Sequence, residues 1–258
     1  MANRLAGKVA IVTGAGSRGP GLGNGKAAAI LFAREGARVL CVDLVKDRAE
    51  ETATLIAGER STDGEAVAFS ADVSHASECD AMVDEAVRRW GTVDILHNNV
   101  GIVSRKDLFE TTEDEWDRVM EVDLKTMFLA TRSAAKVMVQ RGQGSVICVS
   151  SIAGLRANGL TAYGTAKAGV IGFVRTIAGQ LGPHGVRVNA IAPGMVWTPM
   201  VEDLGAAARE QRRAASLLGS EGTGWDVGWG AVYLASDESR WVTGQTLVID
   251  AGVTLTTR

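Results

Sequence analysis

The chain has 258 residues, 46% of them hydrophobic and 22% charged, with a net charge of −3. That length accommodates one large α/β domain or two small ones, and a sizeable core either way. Mixed charges close to neutrality speak against a nucleic-acid or acidic-lipid surface, and no apolar run approaches the length of a membrane span.

The first residues, MANRLAGKVAIVTG, lead straight into a strand pattern without the shape of a signal peptide, which predicts a cytoplasmic protein. A short apolar run over 8–13 (KVAIVT) is followed by the glycine-rich GAGSRGPGLGNG over 14–25 and a helical pattern that stops at Gly36. Strand-like runs follow at 38–43, 66–72, 93–98, 145–150, 186–192 and 246–250, with helical patterns between them at 46–58, 76–90, 113–141, 162–181 and 226–235. The 113–141 pattern reads as one long helix ending at Gly142. Regular alternation of apolar strands with helices predicts a single α/β domain, a mostly parallel doubly wound sheet with helices on both faces. Cys41, Cys79 and Cys148 are far apart, and two lie in strand patterns, so they read as buried free thiols rather than a disulfide or metal framework. The stretch 199–225 holds a helical segment between glycine-rich ends and is a candidate lid over a site.

Candidate chemistry sits in SSIAGLRANGLTAYGTAK, residues 150–167. Tyr163 and Lys167 are four apart, so on a helix both side chains leave one face. A phenol, with a reference pKa near ~10, is a poor base at neutral pH, and an ammonium fixed one turn away favours its ionised form. A serine hydroxyl just upstream can hold a substrate oxygen beside the phenol. In a doubly wound sheet the first β–α turn holds phosphate, because glycines admit a pyrophosphate to the backbone at a helix N-terminus. Gly14, Ser17 and Asn24 are the phosphate-loop candidates. Asp43, with Leu44 beside it, lies ~20 residues beyond the loop, where a carboxylate accepts from ribose hydroxyls and repels a 2′-phosphate. This predicts NAD over NADP, while Arg18 inside the loop argues the other way.

With these motifs in order, the chain closely resembles the short-chain dehydrogenases/reductases over nearly its whole length. The resemblance is carried by the turn at 13–25, Asp72-Val73, NNVG at 98–101, SSIAG, Tyr163-x-x-x-Lys167, NAIAPGMVWTP at 189–199 and the closing SDESRWVTGQTLVIDAG. It implies Tyr163 as acid/base, Ser151 as hydrogen-bond partner of the substrate oxygen, and Lys167 on the nicotinamide ribose. It further implies Asp72 and Val73 at the adenine, Asn99 near the adjacent ribose, and Val196 and Thr198 at the carboxamide and pyrophosphate. The activity implied is interconversion of a secondary alcohol and its ketone, without a metal. A homotetramer is also implied, built through the helix at 162–181 and the one before it, where Ala166, Ala168, Gly169, Gly172 and Ala178 are small.

Three features depart from the family pattern. The glycine turn is about five residues longer if Gly23-Asn24-Gly25 takes the family's last GxG, and Pro20 stiffens the insert. Asp123 stands where the family has an asparagine that orders a proton-relay water. The serine-to-tyrosine loop is one residue short, so Ser150 competes with Ser151, and the SxAG context favours Ser151. Val103, Ile152, Leu160, Met195 and Trp197 are expected to face the substrate and suggest a hydrophobic or cyclic alcohol. Two other readings compete. One is an NADPH-dependent reductase of carrier-bound β-ketoacyl groups, with Arg209, Arg212 and Arg213 as a docking patch. The other is a non-catalytic dinucleotide-binding regulator.

Overall fold

The structure, a computed structural model, describes residues 3–59 and 64–255. The apolar runs form seven parallel strands: β1 (Val9–Thr13), β2 (Arg38–Asp43), β3 (Glu65–Ser70), β4 (Ile95–Asn98), β5 (Gly144–Val149), β6 (Val186–Pro193) and β9 (Thr246–Ile249). They lie side by side in the order β3-β2-β1-β4-β5-β6-β9. The chain leaves β1 on one side to β2 and later returns on the other as β4, so the strand order reverses there and opens a crevice at the carboxyl ends. Thr13 is in register with both Val42 and Asn98, and Asn98 with Cys148. The loops after β1, β2, β4 and β5 therefore emerge along one edge.

Alternation along each strand feeds two core layers. From β1, Val9 and Ile11 join Leu96 and Val146 beneath α3 (Ala76–Trp90) and α6 (Thr161–Leu181), while Ala10 and Val12 join Ile95 beneath α1 (Asn24–Arg34) and α8 (Gly224–Ala235). Each fully buried Ile or Leu in these layers contributes about 1.5–3 kcal/mol. The polar helix α2 (Lys46–Ala57) covers the β2–β3 end. Cys41, Cys79 and Cys148 are free and buried, and burial pushes their thiols up to about 12, 11 and 11 respectively. No helix among the described residues is long and apolar enough to cross a membrane.

The expected single helix at 113–141 is instead α4 (Glu113–Met120) and α5 (Thr126–Arg141), joined by a π-helical turn at Glu121–Lys125. The wide turn re-aims the helix face by one residue and brings Asp123 to complete burial. Asp123 is held on both sides there: its Oδ1 accepts the Ile102 N–H at 2.7 Å and its Oδ2 faces the Lys167 ammonium.

A second difference is a two-stranded parallel ribbon, β7 (Val196–Trp197) against β8 (Gly222–Thr223). It fastens the two ends of the 199–221 excursion together. Within that excursion lies α7 (Gly205–Ala215), which buries none of its residues. The excursion, expected from the sequence as a lid over 199–225, is thus held at its base and unburied along its helix.

Candidate active site

The carboxyl edge encloses a cavity of about 930 Å³ that runs from the glycine loop to the 199–221 excursion, and every catalytic and cofactor-binding candidate named from the sequence lines it. Its cofactor end is shaped by missing side chains. Gly14 takes a left-handed φ of +64°, and Asn99 Nδ2 donates to its carbonyl at 3.1 Å. A Cβ on Gly25 would stand 2.0 Å from that same carbonyl, so the chain can pass here only without a side chain. A Cβ on Gly16 would meet Arg48 Cβ at 2.4 Å and Asp43 Oδ2 at 2.9 Å. The loop is held by Ser17, whose hydroxyl accepts the Gly23 N–H at 2.8 Å, and by Asp43, whose two oxygens accept the Gly16 and Val45 N–H groups. Asn24 opens α1, and its buried Oδ1 has no partner among the described residues. A cradle in which Cβ atoms on Gly16 and Gly25 would clash, set at a helix N-terminus, fits the pyrophosphate of a dinucleotide.

The insert in this loop does not run toward Asp43. Arg18 crosses the crevice and donates from Nη2 to the Gly101 carbonyl at 3.2 Å, and Gly19 and Gly21 come up against Pro199 at the start of the lid. Arg48, which the sequence reading gave no weight in choosing between NAD and NADP, lines the cavity at the Asp43 end. Asp72 accepts the Ser74 N–H at 3.0 Å. Burial alone would raise its carboxyl, but the hydrogen bonds from Ser74 hold it below the usual range.

At the other end, β5 delivers Ser150 and Ser151 and α6 delivers Tyr163 and Lys167. The two competing serines differ in their bonds. Ser150 is buried and donates its hydroxyl to the Lys167 carbonyl at 2.7 Å, inside the protein. Ser151 caps a short 3-10 turn, accepting the Ala153 N–H at 3.1 Å, and its hydroxyl donates to no described residue. Lys167 Nζ lies 5.6 Å from the centre of the Tyr163 ring, 3.2 Å from the Val149 carbonyl and 3.1 Å from Asp123 Oδ2. Burial opposes the Lys167 ammonium, yet the Asp123 carboxylate beside it raises its pKa above the ordinary lysine value. The backbone passes close by at Gly101, where a Cβ would come within 3.1 Å of Lys167 Nζ.

Val103, Ile152, Leu160 and Met195 line the substrate end as expected, but Trp197 does not. Its ring instead carries the Arg209 guanidinium at 4.5 Å. The expected docking patch is likewise internally paired: Arg209 and Arg212 both bond Glu221, at 2.9 and 3.0 Å, and Arg213 bonds Glu210. The 199–221 excursion contributes Pro199, Met200, Val201, Leu204 and Arg212 to the wall. It is latched to the loop after β4 by a two-pronged contact of Arg105 with Asp203 at 2.8 and 3.1 Å. Sequence reasoning missed this latch, along with Arg156 and Asn158 on the wall, because exposed arginines and asparagines carry no periodic signal.

Comparison with known proteins agrees with this geometry. Residues 21–254 match the family model described as enoyl-(acyl carrier protein) reductase. The chain is 38% identical to the 3-oxoacyl-[acyl-carrier-protein] reductase FabG of Thermotoga maritima, over 98% of this chain and 100% of that one. It is 36% identical to the human (3R)-3-hydroxyacyl-CoA dehydrogenase, over 98% of each. Among solved structures, a short-chain type dehydrogenase/reductase from Mycobacterium marinum superposes with a TM-score of 0.90 at 31% identity, covering 99% of this chain and 98% of that one. The chain belongs to the short-chain dehydrogenase/reductase family of oxidoreductases.

Proposed function

We propose that the protein is a cytoplasmic NAD-dependent oxidoreductase that interconverts a secondary alcohol and its ketone. The observation that carries this is the Lys167 ammonium lying over the Tyr163 ring in a cavity that also holds the free donor of Ser151. When bound, the dinucleotide supplies the hydride acceptor. Gly14, Ser17 and Asn24 would hold its pyrophosphate, Asp43 and Leu44 the adenosine ribose, and Asp72 and Val73 the adenine. Asn99 would hold the ribose adjacent to the adenine, Lys167 the nicotinamide ribose, and Val196 and Thr198 the carboxamide and pyrophosphate.

In the alcohol-to-ketone direction Ser151 donates to the substrate oxygen and orients it, and the Tyr163 oxygen takes the hydroxyl proton. Lys167 attracts the negative charge that develops on Tyr163. Asp123 holds Lys167 in place and, through the Ile102 N–H, fixes the loop after β4 that forms the facing wall. The lid and its Arg105–Asp203 latch exclude water from the closed site.

The relatives' names favour a second reading, reduction of carrier-bound 3-oxoacyl groups. Asp43 weighs against NADPH there, and the pairing of Arg209, Arg212 and Arg213 with Glu221 and Glu210 leaves no unpaired patch among them for an acidic carrier. For the assembly we propose a homotetramer. Ala168 and Gly172 on α6 face outward, and beside them a groove lined by Leu124, Phe128 and Phe173 runs between the helices. A monomer mass by light scattering would overturn the tetramer.

The test of the activity is reduction of NAD⁺ and of NADP⁺ over a panel of secondary alcohols, with Tyr163→Phe alongside. NAD⁺-linked turnover that vanishes in the variant supports the reading. Dinucleotide binding without turnover in either direction would replace it with the regulator.

A further inference from the structure

The cavity is more cationic than an apolar substrate requires. Arg18, Arg48, Arg105, Arg118, Arg156 and Arg212 line it together with Lys167, against the carboxylates of Asp43, Asp72, Glu121 and Asp123, in a chain whose net charge is −3. Most of this cationic set has a local explanation. Lys167 pairs with Asp123, Arg105 with Asp203 and Arg212 with Glu221. Arg18 and Arg48 belong to the glycine-loop end, where the negative phosphates of a dinucleotide would lie, and Arg118 acts on Asp72.

Arg156 is different. It lies between Ser151 and Tyr163 in sequence, on the wall of the cavity shared with Ile152, Leu160 and Met195, and no carboxylate among the described residues pairs with it. Its backbone is fixed from several directions. Its own N–H donates to the Ile152 carbonyl, and Asn158 Nδ2 bonds both the Ala153 and Arg156 carbonyls. Gly154 rests so close to α6 that a Cβ there would stand 2.5 Å from the Lys167 backbone. Its guanidinium is fixed at one corner, where Nη1 donates to the Val253 carbonyl at 2.9 Å. One of five N–H donors is thereby used, and the planar fork that suits a carboxylate remains.

We infer that Arg156 is the specificity determinant for an anionic substrate: a hydroxy acid or oxo acid with an apolar body, whose carboxylate pairs with Arg156 while its carbinol reaches Ser151 and Tyr163. This deepens the proposed function and rests on it. The redox step is unchanged. The carbinol C–H leaves as hydride to the dinucleotide, the O–H proton goes to Tyr163, the C–O bond becomes a carbonyl, and the carboxylate is untouched. The assignment alters the expectation of a simple hydrophobic alcohol, because the apolar wall houses the body of the substrate and not its whole.

The experiment measures NAD⁺-linked oxidation of hydroxy acids, with the carboxylate one, two or three carbons from the carbinol, beside their methyl esters. Wild type, Arg156→Met and Arg156→Lys are compared. In wild type the best acid is expected to exceed its ester in kcat/KM, and rising salt should narrow the gap. In R156M the acid-to-ester ratio should fall about 10- to 100-fold, mainly through KM, as loss of a charge-assisted pair implies. R156K should keep much of the ratio.

An Arg156 that only braced the C-terminal turn would lower acid and ester together and leave their ratio in place, which overturns the inference. If R156M does not fold, the wild-type ratio and its salt dependence still decide. Tyr163-dependent oxidation of esters, neutral alcohols or thioesters in preference to acids defeats the role of Arg156 and leaves the proposed function standing. Absence of Tyr163-dependent turnover with every substrate defeats both.

Discussion

The Lys167 ammonium is held 3.1 Å from the Asp123 carboxylate, with both groups closed off from bulk water. A lysine that faces Tyr163, the proposed acid/base, is thus partly neutralised from behind by a charge that the family's asparagine would not carry. Removing that charge leaves burial to act on Lys167 with less opposition, and burial disfavours the ammonium. In Asp123→Asn the alkaline limb of the pH–rate profile is expected to move to lower pH, since Lys167 loses its proton earlier. Stability should fall by up to about 3–5 kcal/mol, the range for breaking a buried pair. A profile superimposable on wild type would show that Asp123 does not set the charge of Lys167.

His97 offers a prediction about acid stability. It is fully buried on β4 beside the edge of Phe32, with ring centres 5.9 Å apart, and neither ring nitrogen has a hydrogen-bond partner among the described residues. Burial pushes its imidazole down to about 4. The unfolded chain takes up a proton near ~6.5, so His97 favours the folded state fully above that pH and progressively less as the pH falls toward 4. The loss amounts to about 3 kcal/mol. Urea unfolding of wild type and His97→Leu between these limits should show a shallower acid loss in the variant. Equal slopes would remove His97 as the cause.

Gly16 tests the cofactor end. In Gly16→Ala the new methyl would stand 2.4 Å from Arg48 Cβ and 2.9 Å from Asp43 Oδ2, so the loop or α2 must shift. Overpacking of this kind costs about 1–3 kcal/mol, which predicts dinucleotide binding weakened by about tenfold or more. Calorimetric titration with NAD⁺ measures it directly. Binding at the wild-type level would place the pyrophosphate away from this turn.

The lid latch is exposed and therefore sensitive to ionic strength. Arg105→Ala removes both contacts with Asp203, and we expect KM for the alcohol to rise severalfold while dinucleotide affinity holds. In wild type, added salt should reproduce part of the effect. A salt-independent KM in both proteins would argue that the latch does not hold the lid.

Much of the fold was legible because β2 and α3 announce themselves by apolar runs and helical spacing bounded by glycine, and their ends fall at 43 and 90 as read. The glycine turn, Asp43 and the Tyr163–Lys167 spacing were legible because each motif is local in the chain. The π-helical turn was not, since a one-residue widening over 121–125 leaves the hydrophobic spacing nearly intact. The β7–β8 ribbon escaped because two residues per strand make no pattern. Arg18, Arg105 and Arg156 gain their meaning only from partners 83, 98 and 97 positions away, and nothing in the chain pairs them in advance.

The longer glycine turn runs beside Pro199, at the start of the 199–221 excursion, so that a Cβ on Gly21 would stand 3.5 Å from its ring. Whatever fills the crevice under that turn also props the first hinge of the substrate entrance. We expect such an arrangement to impose a sequence of arrival, with the dinucleotide entering first and leaving last, and the second reactant finding its chamber completed only after the first is seated. Product-inhibition patterns would read this out. The reduced dinucleotide should compete with NAD⁺ alone, and trimming residues 19–22 to the shorter turn should let the two reactants bind in either order.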